Sequence, residues 1–373
     1  MNKQIPLFKV NICEEVDKSL LEVLHSGYIG QGQKVEEFEQ KLAEFLEITK
    51  NKVLTMNSGT SALHLALHLA EVKGRSVIST PLTCTATNFP IILNGAKIFW
   101  ADINPNTANI SVDSVERLLR KYCKDIWAIM VVHWGGYPCD LDELNKLAAS
   151  YDIPVIEDAA HAFGAIYKGI KIGSISKYTC FSFQAIKHLT TIDGGLLTIS
   201  DDVDYKRGKL LRWYGIDRED TNNRSDLRCE NDVKEIGYKF HMNDVTATIG
   251  LVNLQNIKNI LAKHRDNAVW YKNNFINVSG ITLLEEKDDR QSSYWLFTMK
   301  VKNRDDFMRC MKEKGIMVSK VHARNDKHSC LSNFYRELPN LDMFEKEMVC
   351  IPVGSHVSIE DREYITDCIK GGW

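Results

Sequence analysis

Lys187 lies in an otherwise apolar and uncharged stretch, Phe181-Ser182-Phe183-Gln184-Ala185-Ile186-Lys187. Apolar surroundings disfavour an ammonium, so such a lysine gives up its proton more easily and its amine attacks carbonyl carbons. The same residue would also be satisfied with its stem on apolar surface and its head in water. Two other segments carry complementary chemistry. Asn57-Ser58-Gly59-Thr60-Ser61 follows an apolar run and leads into a helical stretch. Small residues at a helix start offer amide hydrogens and hydroxyls to a phosphate, helped by the helix dipole, and serve equally as a plain N-cap. Glu157-Asp158-Ala159-Ala160-His161 follows another apolar run. A carboxylate there suits a protonated heterocyclic nitrogen, and it suits a helix cap as well. Thr83-Cys84-Thr85-Ala86-Thr87 by itself indicates only a turn or helix start, and Gly194-Gly195 permits close backbone approach.

The elements that must position these residues alternate between strand and helix. Val53 to Met56, a run from Val77, Lys97 to Trp100, Ile126 to Val132, Ile153 to Ile156 and Leu196 to Ile199 read as strands. Val16 to His25, Ser61 to Val72, Asp113 to Cys123 and Asp142 to Ser150 read as helices. This alternation implies a parallel sheet with right-handed crossovers, whose ligand site lies beyond the carboxyl ends of the strands. All four segments line up with that rule, those at Asn57, Thr83 and Glu157 directly behind such strands and that of Lys187 ahead of the Leu196 strand. After about residue 250 the pattern changes: Ile249 to His264 reads as one long helix, then Tyr294 to Val301 as strand and Asp305 to Lys314 as helix closed by Gly315. Residues 1–250 are therefore expected to form a large α/β domain with the N-terminal segment packed on it, and 251–373 a smaller α+β domain.

Composition narrows the function classes. The 373 residues are 44% hydrophobic and 26% charged with a formal net charge of -2, which provides ample core and no electrostatic reason for a nucleic-acid or membrane partner. No apolar run approaches a membrane span, and Met1 to Val10 has no secretory pattern. The ten cysteines include no Cys-x-x-Cys pair. That disfavours a zinc site or disulfide framework and fits reduced thiols in a cytoplasm.

The order of the blocks is more specific than any one of them. Gly27-Tyr28-Ile29-Gly30 with Val35, Phe38 and Glu39 comes first, then Ser58 to Leu63 and Glu157 to Gly164. Ser182 to Lys187 and Gly237-Tyr238-Lys239-Phe240-His241-Met242-Asn243-Asp244 complete the series. Over most of its length the chain resembles the DegT/StrS sugar aminotransferases of the fold-type I pyridoxal phosphate enzymes. The resemblance implies that fold, with a large, mostly parallel seven-stranded sheet domain. It implies that Lys187 carries the cofactor as a Schiff base and shuttles the proton, while Asp158 pairs with the pyridine nitrogen. His161 would bond the 3′ oxygen, and Ser58, Gly59, Thr60 and Ser182 the phosphate. Many relatives carry a stacking aromatic residue at the position of Cys84 and Asn at that of Lys239, where the residue reaches the cofactor phosphate of the neighbouring subunit. A homodimer with composite sites follows from that contact.

The resemblance further implies transamination of a nucleotide-linked keto sugar, with a 4-keto-6-deoxy sugar favoured over a 3-keto one. L-glutamate would be the donor and 2-oxoglutarate its product, in amino-sugar synthesis for lipopolysaccharide O-antigen, other surface glycans or natural products. Tyr28, Trp213, Tyr214, His322 and Arg324 are candidates for the sugar pocket, with the Arg324 fork suited to a diphosphate. Three other readings compete. A sugar 3-dehydratase has histidine in place of the lysine, but Ser182 precedes Lys187 by five residues in the aminotransferase register, and His188 is one position late. A nicotinamide enzyme would rest on Gly30-Gln31-Gly32 alone, which lacks a third glycine and a preceding strand. A non-catalytic regulator of the same fold has no need of both Lys187 and Asp158.

Overall fold

In the computed structural model residues 4–218, 232–334 and 336–373 are described. Helices α1 (Val16–Leu24) and α2 (Gln33–Leu46) precede strand β1 (Val53–Met56), helix α3 (Gly59–Leu69) and strand β2 (Ser76–Ser79). Helix α4 (Thr85–Leu93), β3 (Lys97–Trp100), α5 (Val112–Tyr122), β4 (Ile126–Val132), α6 (Leu141–Ala149) and β5 (Val155–Asp158) continue the alternation. A short hairpin, β6 (Ile166–Tyr167) and β7 (Ile170–Lys171), leads to β8 (Tyr178–Ser182), β9 (Gly195–Ile199) and α7 (Asp202–Leu211).

Seven of these nine strands, all but the β6–β7 hairpin, form one sheet in the order β1-β9-β8-β5-β4-β2-β3. β3, β2, β4, β5 and β8 pair in parallel, while β9 runs antiparallel between β8 and β1. Every residue of β1, β2, β5 and β9 is buried, as expected of strands covered on both faces. Two apolar clusters supply that cover: one includes Leu54, Leu67, Trp100 and Tyr178, the other Phe38, Leu42, Ile129, Phe181 and Phe183.

The chain then forms α8 (Asp244–Gln255) and α9 (Ile257–Phe275), with Asn256 between them. The single helix expected from Ile249 to His264 is thus two. Asn256 leaves helical geometry at φ -97°, ψ 0°, so the apolar pattern runs through a break that periodicity alone does not reveal. Next come β10 (Ile281–Leu283), β11 (Arg290–Gln291), β12 (Phe297–Val301), α10 (Arg304–Glu313), α11 (Pro339–Glu347), β13 (Met348–Ile351) and α12 (Ile359–Lys370). β10, β12 and β13 make an antiparallel sheet, packed with Tyr271, Phe275, Phe307 and Ile365 into a third apolar cluster. The N-terminal segment is divided between the two parts, where the sequence placed it on the large one. Ile5 pairs with Gly315 and Met317 and joins the third cluster, whereas Leu7 and Phe8 pack against the first.

Candidate active site

The carboxyl ends of β1, β5 and β8 converge on one edge of the sheet. After β1, Ser58 caps α3 by accepting the Ser61 amide at 3.0 Å. Gly59 is there because nothing larger fits: a Cβ would stand 2.8 Å from the Ser182 Cβ at the end of β8. A Cβ on Gly195 would likewise come within 2.4 Å of the Ser58 carbonyl oxygen. Absent side chains therefore bring Ser58, Gly59 and Thr60 against Ser182, with Thr60 exposed. Capping and anion binding are compatible here, because the first amides of α3 remain without helical partners.

β5 ends in Asp158, two residues later than the apolar run suggests, so the carboxylate belongs to the strand itself. It accepts Thr87 Oγ1 at 2.6 Å and the Ala160 amide at 3.1 Å. Burial pushes its pKa up, and these bonds together with the charge of Lys187 oppose that rise. Lys187 is affected in the opposite sense. Burial draws its pKa from 10.5 down to about 7, against the pull of Asp158 and of Cys84. Cys84, at the N-cap position of α4, is thus close enough to Lys187 to act on its charge.

His161 and His322 complete this part of the site. Their rings lie nearly parallel, 5.8 Å apart. His161 Nδ1 and His322 Nε2 are both buried without a hydrogen-bond partner. Burial keeps both rings neutral at pH 7, holding His161 well below the usual histidine value and His322 at about 4. Val321 and His322 have φ of 33° and 70°, a left-handed conformation that is strained for a β-branched residue.

Two neighbours escape sequence reasoning. Thr87, which holds Asp158, has for a signal only its place one helical turn beyond Thr83, whose hydroxyl it meets at 2.7 Å. Trp295 lies just before β12. Its ring centroid is 3.5 Å from Lys187 Nζ and 3.9 Å from the His161 ring, and its Nε1 donates to the Ile186 carbonyl at 3.0 Å. No local pattern distinguishes it from an ordinary strand aromatic.

The remaining candidates fall elsewhere. Arg324 is the main correction: its guanidinium is buried and paired with Asp326 at 2.6 Å and with Asp342. Its fork therefore secures the loop that carries His322 and is not open to a diphosphate. Tyr28 and Tyr214 are exposed, with contacts to Gln31, Gly32, Arg218 and Trp213. Lys239 is exposed, and its carbonyl accepts the Asn57 side chain at 3.1 Å just before the α3 cradle. Gly30-Gln31-Gly32 joins α1 to α2, so the strand a dinucleotide fingerprint needs is missing.

A group carrying an anion, a basic ring nitrogen, a phenolic oxygen and an aldehyde fits this arrangement. The anion suits the α3 cradle, the nitrogen Asp158, the oxygen the unused His161 Nδ1 and the aldehyde Lys187. Pyridoxal phosphate has these four features, and the fold and site define a fold-type I pyridoxal phosphate aminotransferase. Residues 10–370 match the DegT/DnrJ/EryC1/StrS aminotransferase family, and the chain belongs to it. The sugar aminotransferase CalS13 of Micromonospora echinospora is 38% identical, over 99% of this chain and 100% of that one, with a TM-score of 0.93. The UDP-4-amino-4,6-dideoxy-N-acetyl-beta-L-altrosamine transaminase of Campylobacter jejuni is 32% identical over 96% of this chain and 95% of its own. Spr1654 of Streptococcus pneumoniae, solved in a PLP form, is 26% identical over 99% of this chain and 98% of that one, with a TM-score of 0.89. Among the described residues no helix is long and apolar enough to cross a membrane.

Proposed function

We propose that this aminotransferase moves an amino group from L-glutamate to a nucleotide-linked keto sugar, foremost a 4-keto-6-deoxy sugar, leaving 2-oxoglutarate. The observation that carries the reading is a buried Lys187 amine within reach of the Asp158 charge and near two imidazoles, His161 and His322, whose Nδ1 and Nε2 have no hydrogen-bond partner. The names of CalS13 and of the Campylobacter transaminase support a sugar acceptor, the latter a UDP-linked one.

When bound, pyridoxal phosphate supplies the electron sink that makes the α-proton removable. Lys187 would hold the cofactor's aldehyde and would be the base that takes that proton and returns it. Asp158, oriented by Thr87 and the Ala160 amide, keeps a proton on the ring nitrogen. His161 bonds the phenolic oxygen from Nδ1, and Ser58, Gly59, Thr60 and Ser182 hold the phosphate. Cys84, at the start of α4, would lie beside the ring. His322, uncharged and with Nε2 unused, is left to meet a sugar hydroxyl or carbonyl.

Lys239 faces solvent in one chain, and its proposed reach to a partner's phosphate makes the enzyme a homodimer with Tyr28 and Tyr214 near the shared site. Twice the 42.5 kDa chain mass in sedimentation is the expected result. We place the division between the large and small domains near residue 250, and the enzyme in the cytoplasm, making amino sugars for surface glycans such as O-antigen or for natural products. A panel of UDP-, dTDP-, GDP- and CDP-linked 4-keto and 3-keto sugars with glutamate, read by mass and NMR, tests the reaction. Amination of none of them would overturn it.

A further inference from the structure

His188 follows Lys187 directly and is buried. Its Nε2 lies 2.9 Å from the Ser293 carbonyl oxygen. A carbonyl only accepts, and burial holds this ring neutral, well below the usual histidine pKa, so its single N–H is committed to Ser293. Two residues further along the receiving segment, Trp295 Nε1 returns a bond to the Ile186 carbonyl at 3.0 Å. The residues on either side of Lys187 thus grip one short segment. That segment's indole lies 3.5 Å from the Lys187 amine and 3.9 Å from the His161 ring.

The segment, residues 292–295, is held at every step. α9 supplies two more donors: His264 Nδ1 bonds the Tyr294 carbonyl at 2.8 Å, and Arg265 Nε the Ser292 carbonyl at 3.0 Å. Three successive carbonyls therefore each take a different side chain, and the His188 and His264 rings pack with centroids 4.6 Å apart. Ser293 is wedged against Gly136, where a Cβ would stand 2.4 Å from its Oγ, and that Oγ donates to the His161 carbonyl at 2.8 Å. Tyr294 has φ 49°, a left-handed backbone that is costly for a bulky residue and persists only where its neighbours over-determine it. The donors from His188, His264 and Arg265 supply that constraint. The turn at Tyr294 is what lays Trp295 across Lys187.

We propose that His188 is a positioning residue for the reaction: by holding the Ser293 carbonyl it keeps the Trp295 ring seated on Lys187 and so fixes where the amine stands. It needs no contact with substrate or cofactor. The proposal rests on the reading of Lys187 as the residue that holds the cofactor. An amine fixed in place meets the cofactor aldehyde and the α-proton in reactive geometry, and small misplacements of such a group are costly.

Three substitutions separate the N–H from the bulk of the ring. His188→Gln keeps a donor at about the reach of Nε2, and His188→Leu removes it at similar size. His188→Asn keeps an amide that stops short of Ser293, and it makes the same test if the Leu chain does not fold. Two rates are read: uptake of pyridoxal phosphate by the full-length chain freed of cofactor, and the glutamate half-reaction of the loaded enzyme. Leu and Asn are expected to slow both about tenfold with the KM for glutamate unchanged, and Gln to recover most of that loss. His188→Leu/Trp295→Leu should be no slower than the slower single variant, because both changes undo the same stack. A role in stability alone would lower Tm and leave both rates of the folded protein as they are. Wild-type rates in the Leu and Asn chains would overturn the proposal, as would a Gln chain as slow as Leu, or losses that multiply in the double variant. A visible cofactor band that persists in Lys187→Ala would overturn the lysine reading and the proposal with it. Unchanged rates in a protein whose band is lost in Lys187→Ala overturn the role of His188 alone.

Discussion

Two sides face Lys187, and they are built differently. On one, strand ends and a helix start deliver Asp158, Ser182 and the α3 cradle from the interior of the sheet, with the close approach made by Gly59 and Gly195. On the other, a loop with left-handed Val321 and His322 is held by the buried Arg324–Asp326 pair, and Trp295 enters from the approach to β12. The first is a rigid platform that follows from topology. The second is a strained loop whose shape depends on ion pairs made off the site. Substitutions on the platform should therefore cost chemistry, and those behind the loop should cost stability.

The severest break is Lys187→Ala, expected to lower kcat by about 10⁴-fold or more and to abolish the cofactor's visible band, read by steady-state kinetics and absorbance. Asp158→Asn should lose about 10²–10³-fold in kcat by weakening the ring's protonation, with a near-unchanged denaturation midpoint. Arg324→Ala should show the reverse. Leaving Asp326 buried and unpaired costs about 3–5 kcal/mol in chemical denaturation, and a specific rise in the KM of the sugar without that loss would contradict the structure. His322→Ala should reduce kcat/KM for the sugar about tenfold while the cofactor band and the glutamate half-reaction persist. The smallest effect is on pH. Uptake of pyridoxal phosphate by the apoenzyme needs the free amine, so its rate should rise with pH through about 7. The Trp295 ring favours the ammonium, so Trp295→Leu should move that midpoint down by about half a unit.

The same contrast explains what was legible in the sequence. β1, β3 and β4 fall where apolar runs place them, because strands that put at least one face on the core draw mainly on apolar residues. The strand-end rule then gathers Ser58 and Asp158 without any knowledge of contacts, while β8, the strand that delivers Ser182 and Lys187, is seen only in the structure. Asn256 was hidden because a one-residue break leaves helical periodicity nearly intact. Arg324 was misplaced because a guanidinium has the same appearance in sequence whether its partner is a phosphate or Asp326. Trp295 and Thr87 act through distant packing, and spacing along the chain carries no record of that.

The indole beside Lys187 also makes the site luminous. Trp295 is one of seven tryptophans, stacked on an imidazole and 3.5 Å from the Lys187 amine. Pyridoxal phosphate held at Lys187 would drain its emission, so the difference in fluorescence between the native chain and Trp295→Phe becomes an intrinsic clock for cofactor loading and release, with no label attached.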